Sequence, residues 1–331
     1  MNIEKSLAET TDKSANETSG EAQLRSAPQW RRNANSGKAR SGFVAVIGRP
    51  NAGKSTLINA LVKSKIALVS KKAGATRKRQ NAIVTLDDQN AQIIFTDTPG
   101  LDDRKEALNN FMQKEALRAI KDSDLVLFLA DMADSTQNYE KFLNAAGDKP
   151  HLIALTKMDN FPREKRLAKL AEYQKFAEKY IAIAPISAKK NDFAPLLSEI
   201  AKLLPEHPFY FDPDDLTDHT IRDIYKEIIR EAIFDNFSEE VPYSAEVEIT
   251  EFRETETLDR VKAIVYVEKE SQKSIIIGKG GSGVKRLGCA ARRSIEAFSG
   301  KKTYLELNIN LIQSWRKSET ALKKFGYTEG V

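Results

Sequence analysis

The sequence predicts two domains of different class: an α/β domain with a doubly wound, mostly parallel sheet, followed by a smaller α+β domain. At 331 residues the chain is longer than one typical domain. As far as about residue 204, short apolar runs alternate with helical stretches, a pattern typical of parallel strands buried on both faces. Beyond a proline-rich, acidic segment the pattern changes to one amphipathic helix and strands of alternating polarity.

Composition and patterning divide the chain into four segments. Residues 1–40 are rich in Ser, Thr, Asn, Lys and Glu and lack apolar periodicity, so we expect a disordered extension. Residues 41–206 form the α/β domain. The proline-rich stretch PEHPFYFDPDDLTD marks a linker at residues 207–219. Residues 220–331 form the α+β domain and end in a basic tail.

The first domain contains six candidate strands, separated by helical stretches such as NNFMQKEALRAIKDS and REKRLAKLAEYQKFAEKY. The candidate strands are FVAVIG, IALVS, AQIIFTD, DLVLFLAD, HLIALTK and YIAIAPIS. Strands that alternate with helices indicate an open sheet with right-handed crossovers.

The second domain begins with an amphipathic helix whose apolar residues recur at helical spacing from Ile221 to Ile233. Two alternating segments follow, at residues 245–249 and 261–267, and we expect them to pair as antiparallel strands. A glycine-rich turn then leads to a helix from about Val284 to Phe298 and to a last strand in KTYLELNIN.

Charge and cysteine content narrow the function classes. The formal net charge is +5 and the pI about 9.0, which permits a nucleic-acid or anionic-membrane partner without requiring one. The single cysteine, Cys289, excludes an internal disulfide framework, and its small-residue helix favours a buried, inert thiol. No apolar run approaches the length of a membrane span, and the polar start is not a signal peptide, so we expect a cytoplasmic protein.

The first motif with chemical content is GRPNAGKS, which follows the strand FVAVIG and runs into the helix STLINALVK. It matches the phosphate loop G-x-x-x-x-G-K-[ST], in which backbone N–H groups and a helix N-terminus bind phosphate. Lys54 is expected to contact the β- and γ-phosphates and Ser55 to bind Mg²⁺. The alternative, a glycine-containing turn, does not account for the complete motif in this context. The predicted loop residues are Gly48, Arg49, Pro50, Asn51, Ala52, Gly53, Lys54, Ser55 and Thr56.

The motif DTPG ends the strand AQIIFTD and is expected to contact the phosphates. Its residues are Asp97, Thr98, Pro99 and Gly100. Asp97 would hold Mg²⁺ through water, and the Gly100 N–H would contact the γ-phosphate.

Two further motifs are expected to bind the base. TKMD, comprising Thr156, Lys157, Met158 and Asp159, ends the strand HLIALTK, and SAK, comprising Ser187, Ala188 and Lys189, ends YIAIAPIS. The Asp159 carboxylate can accept both the N1–H and the 2-amino group of guanine, which adenine does not offer in that arrangement. SAK would add a backbone contact to the guanine oxygen. Four motifs in this order, each at a strand's carboxyl end, predict GTP.

The switch loops follow from the positions of these motifs. The basic segment KKAGATRKRQ contains Thr76, our candidate for the threonine that contacts the γ-phosphate and Mg²⁺; a solvated loop threonine is the alternative. The predicted metal ligands are Ser55, Thr76 and Asp97, and the predicted catalytic residues are Lys54, Thr76 and Gly100. The second switch is expected from Leu101 to about Asn110. Leu101 cannot orient an attacking water as a glutamine does, so intrinsic hydrolysis should be slow.

The second domain carries the loop Gly278-Lys279-Gly280-Gly281 between two helical segments. This fits the GXXG loop of a KH domain, which clamps the backbone of about four nucleotides. Lys279, Lys285 and Arg286 supply positive charge, and residues 275–277, which include Ile277, would line the adjacent apolar groove. A plain helix-turn-helix with glycine is the alternative. For the basic sequence SWRKSETALKK, a solvated helix face and an RNA contact both stay open.

With both motifs placed, the chain resembles the Era family of bacterial GTPases, which joins a TrmE-Era-type GTPase domain to a C-terminal type II KH domain. The resemblance runs from about Gly42 to about Tyr327. Its most specific stretches include GRPNAGKSTLINAL, DTPGL, PFYFDPDDLTD, EVPYSAEVEI and VYVEKESQKSIIIGKGG. Two positions depart from the family pattern: Thr156 replaces an asparagine, and Ala75-Thr76-Arg77 replaces Thr-Thr-Arg.

The resemblance implies that the KH domain binds the 3′ end of 16S ribosomal RNA and that the protein assists maturation of the small (30S) ribosomal subunit. It also implies that GTP favours the RNA-binding state, that the chain is a monomer, and that some of it associates peripherally with the inner membrane. GRPN further resembles potassium-activated GTPases, so Asn51 is a candidate K⁺ ligand; an asparagine that only shapes the loop is the alternative. Equal turnover in K⁺ and Na⁺ would contradict the K⁺ hypothesis.

Three other functions compete with this interpretation. A passive RNA-binding protein with a structural nucleotide domain is disfavoured by the intact phosphate-site residues. A transfer-RNA-modifying or large-subunit assembly GTPase should show a second GTPase domain or a C-terminal modification cysteine, and the sequence has neither. A membrane-cycling GTPase is disfavoured as well, because no basic amphipathic helix in the sequence is strong enough to favour it.

Overall fold

The computed structural model describes residues 38–70, 72, 74–100, 107–187 and 193–327. The strands of the first domain are β1 (Arg40–Ile47), β2 (Gln80–Leu86), β3 (Ala91–Asp97), β4 (Leu125–Asp131), β5 (His151–Thr156) and β6 (Ile183–Pro185). Its helices are α1 (Lys54–Val62), α2 (Ala107–Asp122), α3 (Gln137–Ala146), α4 (Arg163–Gln174) and α5 (Ala194–Leu203).

The first sheet has the strand order β2-β3-β1-β4-β5-β6. All neighbours are parallel except β2, which pairs antiparallel with β3 at the edge. Every residue of β3 and β4 is buried, which explains why these strands read as continuous apolar runs. The predicted α/β class is therefore confirmed, and the parallel strands end at one edge, where open α/β sheets bind ligands.

The predicted strand IALVS is wrong. Ile66, Ala67 and Leu68 are buried, but they lie in a loop rather than in the sheet. The side chain of Asn59 makes the hydrogen bonds that a neighbouring strand would otherwise make to this loop. Its Oδ1 accepts from the N–H groups of Ile66 (3.0 Å) and Ala67 (2.9 Å). Its Nδ2 donates to Ala67 O at 2.8 Å. The sheet edge belongs instead to β2, whose partly polar sequence QNAIVTL carries no predicted strand.

The second domain confirms the predicted α+β class. Its elements are α6 (Ile221–Asn236), α7 (Val241–Ser244), β7 (Glu246–Arg253), β8 (Leu258–Val267), α8 (Glu270–Ile277), α9 (Ser282–Ser299), β9 (Lys302–Leu311) and α10 (Glu319–Lys324). The sheet order is β7-β8-β9; β7 and β8 are antiparallel, as predicted, and β9 is parallel to β8. Among the described residues, no helix combines the length and the apolar content needed to cross a membrane.

Residues 207–219 lie along the β2–β3 edge of the first sheet. The side-chain oxygen Oε1 of Gln92 accepts from the backbone N–H groups of Tyr210 (2.9 Å) and Phe211 (3.1 Å). The Ile83 N–H donates to Leu216 O at 2.9 Å. These bonds attach the segment before α6 to the first domain.

The C-terminal segment, residues 315–327, packs between the two domains. Trp315 is fully buried, and its Nε1 donates to Ser244 O at 2.8 Å. One apolar cluster joins α2 to this segment and includes Leu108, Phe111, Met112, Trp315, Leu322, Phe325 and Tyr327. SWRKSETALKK therefore buries its apolar residues in the domain interface, while its basic residues Lys317, Lys323 and Lys324 are exposed.

Candidate functional site

The predicted phosphate loop connects the end of β1 to the start of α1 at the ligand-binding edge of the sheet. Lys54 is buried, and its Nζ donates to Gly48 O (3.1 Å) and Arg49 O (3.2 Å). A Cβ atom on Gly100 would lie 2.7 Å from the backbone nitrogen of Pro50, so DTPG packs directly against the loop. The loop lines a cavity of about 380 Å³ together with residues from the rest of the site, among them Leu68, Lys72, Thr76, Gly100 and Lys157.

Three oxygen-bearing side chains from separate elements converge at the start of α1. Ser55 Oγ donates to Asp97 Oδ2 at 2.7 Å and lies 3.0 Å from Thr76 Oγ1. Thr76 Oγ1 is 3.5 Å from the same carboxylate oxygen. Within the described part of the chain, the buried Asp97 Oδ1 has no hydrogen-bond partner. A hard cation that takes oxygen ligands, such as Mg²⁺, fits this set of donors.

Burial shifts the pKa values of Lys54 and Asp97 in opposite directions. Burial lowers the pKa of Lys54 to about 8, although the charge of Asp97 opposes the shift. Burial also raises the pKa of Asp97, against the charge of Lys54 and the hydrogen bonds from Ser55, Thr98 and Thr76. Phosphate near Lys54 and a cation near Asp97 would each restore the charged form.

We expect the affinity for a GTP analogue to fall as the pH rises above about 8, the pKa of Lys54. Phosphate oxygens raise the pKa of a neighbouring lysine, so binding takes up a proton wherever the free amine is neutral. Below that pH the amine is already charged and its contribution is constant. Above it, the affinity should fall by up to about tenfold per pH unit.

Titration calorimetry from about pH 7 to about pH 9 measures this slope. The Lys54→Arg variant is the control, because a guanidinium stays charged throughout the range. Its affinity can be lower at every pH, but its slope should be flat. An equal slope in both proteins would contradict the assignment to Lys54.

The structure also brings together side chains at the predicted base end of the site. Ser187 Oγ donates to Asp159 Oδ1 at 2.9 Å. Lys157 Nζ donates to Asn51 O at 3.0 Å and to Asp131 Oδ2 at 2.6 Å, which links TKMD to the phosphate loop. Thr156 Oγ1 donates to Ala52 O at 2.9 Å and makes a second link.

Asp131 is a site residue that the sequence analysis missed. It is the last residue of β4, is buried, and pairs with Lys157 and, at 3.7 Å, with Arg49 Nη2. The sequence contains a feature that could have identified Asp131: the run DLVLFLAD ends on a carboxylate, at the same edge of the sheet as the other motifs. Two predicted base contacts, Ala188 and Lys189, and residues 101–106 of the predicted second switch lie outside the described residues.

In the second domain, the loop from α8 to α9 is built on glycines. Gly278, Gly280 and Gly281 have φ angles of 72°, 59° and 79°. A Cβ on Gly278 would lie 2.7 Å from the backbone nitrogen of Gly283, so the start of α9 approaches the end of α8 closely. Such contact holds Lys279 at the tip of the loop, where it is exposed.

The groove beside this loop differs from the prediction. Its cavity of about 340 Å³ lies between α9 and β9, and its lining includes Val284, Lys285, Gly288, Cys289, Leu305 and Leu307. The expectation that residues 275–277 line it is wrong for Ile276, which is fully buried in the core. Ile275 is exposed on α8, and Ile277 is half-buried. Cys289 is partly exposed in the groove rather than buried as expected.

The fold and the site define a class: a P-loop GTPase domain followed by a KH domain. Residues 43–157 match the family model described as "50S ribosome-binding GTPase", and residues 240–316 match the model described as "KH domain". The chain is 46% identical over 294 residues to GTPase Era of Helicobacter pylori (strain G27), covering 88% of this chain and 97% of that protein. GTPase Era of Campylobacter concisus (strain 13826) is 42% identical over 290 residues, covering 87% of this chain and all of that protein. The chain belongs to the Era family of GTPases.

Two solved structures resemble this chain. One is a single-substitution variant of Era from Aquifex aeolicus bound to GDP and AlF₄⁻, and the other is Era in complex with MgGDPNP and nucleotides 1506–1542 of 16S ribosomal RNA. Each has a TM-score of 0.83 and 34% sequence identity, and covers 88% of this chain and all of the other.

Proposed function

We propose that the chain is a GTP-dependent switch that binds the 3′ end of 16S ribosomal RNA through its KH domain and assists assembly of the 30S subunit. The observation that carries the GTP-dependent switch is the convergence of Ser55, Thr76 and Asp97 beside the buried Lys54. The family relationship and the rRNA fragment bound to the solved relative support the proposed binding of 16S ribosomal RNA and the role in assembly of the 30S subunit. The proposed boundaries are those of the sequence analysis, with the GTPase domain at residues 41–206 and the KH domain at residues 220–331.

In the proposed reaction the chain positions GTP and water rather than reacting covalently. Ser55, Thr76 and Asp97 are the residues that would hold Mg²⁺, which would offset the negative charge of the phosphates. The ammonium of Lys54 would stabilise charge that develops between the β- and γ-phosphates. The Gly100 N–H would contact the γ-phosphate, so its position against Pro50 matters for turnover. We expect slow intrinsic hydrolysis, because Leu101 follows DTPG where other GTPases place a glutamine.

The proposed RNA site combines the glycine loop with the groove between α9 and β9. Lys279, Lys285 and Arg286 lie on or next to the loop, where their charge favours a phosphate backbone. Val284, Leu305 and Leu307 supply apolar surface for bases. A glycine loop that admits the backbone and an apolar groove for unstacked bases favour single-stranded RNA.

The matching family model is named for binding to the 50S ribosome, whereas the solved relative holds part of the 16S ribosomal RNA, which belongs to the small subunit. Cosedimentation of the full chain with purified 30S and 50S subunits, in the presence of a GTP analogue or GDP, separates the two. We expect retention on 30S particles and a stronger signal with the GTP analogue. Retention on 50S particles alone would contradict the proposal.

Tyr304→Ala should weaken binding of a 16S 3′-end oligonucleotide by roughly tenfold, because stacking of one base on an aromatic ring is lost. Tyr304 is 55% exposed on β9 and lines the groove together with Arg292. Fluorescence anisotropy with a labelled oligonucleotide measures the change. Tyr210→Ala is the matched control, since Tyr210 is 45% exposed but stacks on His207 in residues 207–219. Equal losses in both variants would contradict a stacking role for Tyr304.

Four finer proposals complete this function. We propose that the chain acts as a monomer in the cytoplasm, with peripheral association of a fraction at the inner membrane. We also keep Asn51 as a proposed K⁺ ligand; its φ angle of 65° places it at a turn in the phosphate loop. Comparing turnover in K⁺ and in Na⁺ tests this role, and equal rates would contradict it.

A further inference from the structure

The loop that carries Thr76 contacts the second domain on both sides of this residue. Thr76 faces the first domain, where its hydroxyl lies 3.0 Å from Ser55 Oγ. Its neighbours Ala75 and Arg77 are both buried, and the partners of both include residues of the second domain. The position of the threonine therefore depends on contacts outside the GTPase domain.

Ala75 is held by an apolar contact and a hydrogen bond. Its side chain belongs to a small cluster with Leu68 and Phe234, the latter from α6. Its carbonyl oxygen accepts from Arg230 Nη2 at 2.9 Å. Earlier in the same loop, Lys72 Nζ donates to the carbonyl oxygens of Phe234 and Phe237 at the end of α6. A cation at the carboxyl end of a helix is electrostatically favourable.

Arg77 reaches further into the second domain and is only 3% exposed. Its Nη1 lies 2.6 Å from Glu246 Oε2 and donates to Ala245 O at 2.9 Å. Its Nη2 donates to Tyr243 O at 2.7 Å, and the guanidinium lies 5.3 Å from the centre of the Trp315 ring. The planar group of an arginine can make these contacts together, whereas a lysine cannot.

Glu246 is the anchor of this contact. It is fully buried at the start of β7, and besides Arg77 it pairs with Lys226 Nζ at 2.8 Å and accepts from Tyr327 Oη at 2.6 Å. Burial alone would raise the pKa of Glu246, but the charges of Lys226, Arg230 and Arg77 outweigh it and hold the pKa below its usual range. The carboxylate is therefore charged, and removing it would leave buried cations without their anion.

We infer that Arg77 is a positioning residue for Thr76 and that Glu246, in the second domain, anchors it, so that the second domain completes the γ-phosphate end of the GTP site. This inference rests on the proposed function. In the proposed function Thr76 would contact the γ-phosphate and its cation and would not contact GDP, so loss of the anchor should weaken binding of a GTP analogue and slow hydrolysis while leaving GDP binding in place. A misplacement of about 1 Å at such a site can cost roughly 100-fold in rate.

The test compares Arg77→Lys and Glu246→Gln with wild type in the full chain. We measure the affinities for a non-hydrolysable GTP analogue and for GDP, the rate of hydrolysis at saturating GTP, and the Mg²⁺ concentration for half-maximal rate. We expect a loss of roughly 10- to 100-fold in the ratio of the two affinities and in rate, with a higher Mg²⁺ requirement. GDP affinity should stay within about twofold of wild type.

Glu268→Gln is the control, because it breaks a pair between a buried glutamate and a partly exposed arginine within the second domain. Glu268 Oε2 pairs with Arg316 Nη2 at 2.7 Å, and both residues belong to the second domain. Thermal unfolding of each variant shows whether it is folded; if Glu246→Gln is not, Arg77→Lys alone decides.

Three results would overturn the inference: an unchanged affinity ratio in folded Arg77→Lys, an equal loss of both nucleotides, or the same change in Glu268→Gln. A wild-type chain that neither hydrolyses GTP nor distinguishes the analogue from GDP would instead overturn the proposed function, and the inference with it.

Discussion

Replacing Asp159 by asparagine should transfer the nucleotide preference of the chain from GTP to xanthosine triphosphate. The carboxylate can accept two hydrogen bonds, from the N1–H and the 2-amino group of guanine, whereas an amide presents N–H donors that oppose the 2-amino group. Xanthine carries an oxygen at that position, which accepts from the amide. Hydrogen bonds to a charged group contribute about 1.5–3 kcal/mol each, so we expect a loss of roughly 10²- to 10⁴-fold in GTP affinity.

Competition binding with both triphosphates measures the exchange. Asp122→Asn is the control, because Asp122 is an exposed carboxylate on α2 that pairs with Arg79 at 3.1 Å, away from the site. It should leave both affinities unchanged. If Asp159→Asn keeps its preference for GTP, Asp159 does not contact the base, and the guanine assignment fails.

Gly278→Ala should remove most RNA binding, whereas Gly280→Ala should not. Both glycines have positive φ angles, 72° and 59°, so both substitutions share a backbone strain of about 1 kcal/mol. The two positions differ in the space available for an added Cβ atom. A Cβ on Gly278 would lie 2.7 Å from Gly283 N, whereas no atom of the described residues lies within 4 Å of a Cβ on Gly280. Gly278→Ala must therefore separate the end of α8 from the start of α9 and displace the loop.

Binding of a 16S 3′-end oligonucleotide measures this difference. We expect a loss of at least about 100-fold for Gly278→Ala and less than about tenfold for Gly280→Ala. GTP affinity without RNA reports whether the first domain is intact in each variant. Equal losses of RNA binding in the two variants would contradict the close approach of the helices as the reason for the glycine.

Most of the first domain could be predicted, because fully buried strands leave continuous apolar runs in the sequence. The failure at IALVS shows the limit of this signal. Apolar residues mark burial, and burial does not require a strand when a side chain such as Asn59 satisfies the backbone groups. The edge strand β2 was not predicted, for the opposite reason: its sequence is partly polar, so its apolar pattern is weak.

The nucleotide site could be predicted from its motifs, because each motif is a short, contiguous segment at the end of a strand. Contacts between domains leave no such segment. Arg77 and Glu246 are 169 residues apart, and neither stands out from the other charged residues of the chain. The same applies to the groove: the glycine loop is contiguous, but Leu305 and Leu307 reach the groove only because β9 pairs with β8 next to α9.

The central claim is that GTP controls binding of this chain to the 3′ end of small-subunit ribosomal RNA. Crosslinking of the full chain to total cellular RNA, with a GTP analogue or with GDP bound, tests it most directly. We expect crosslinks concentrated at the 3′ end of 16S ribosomal RNA and more abundant with the GTP analogue. Crosslinks scattered over other RNAs, or equal in the two nucleotide states, would contradict it.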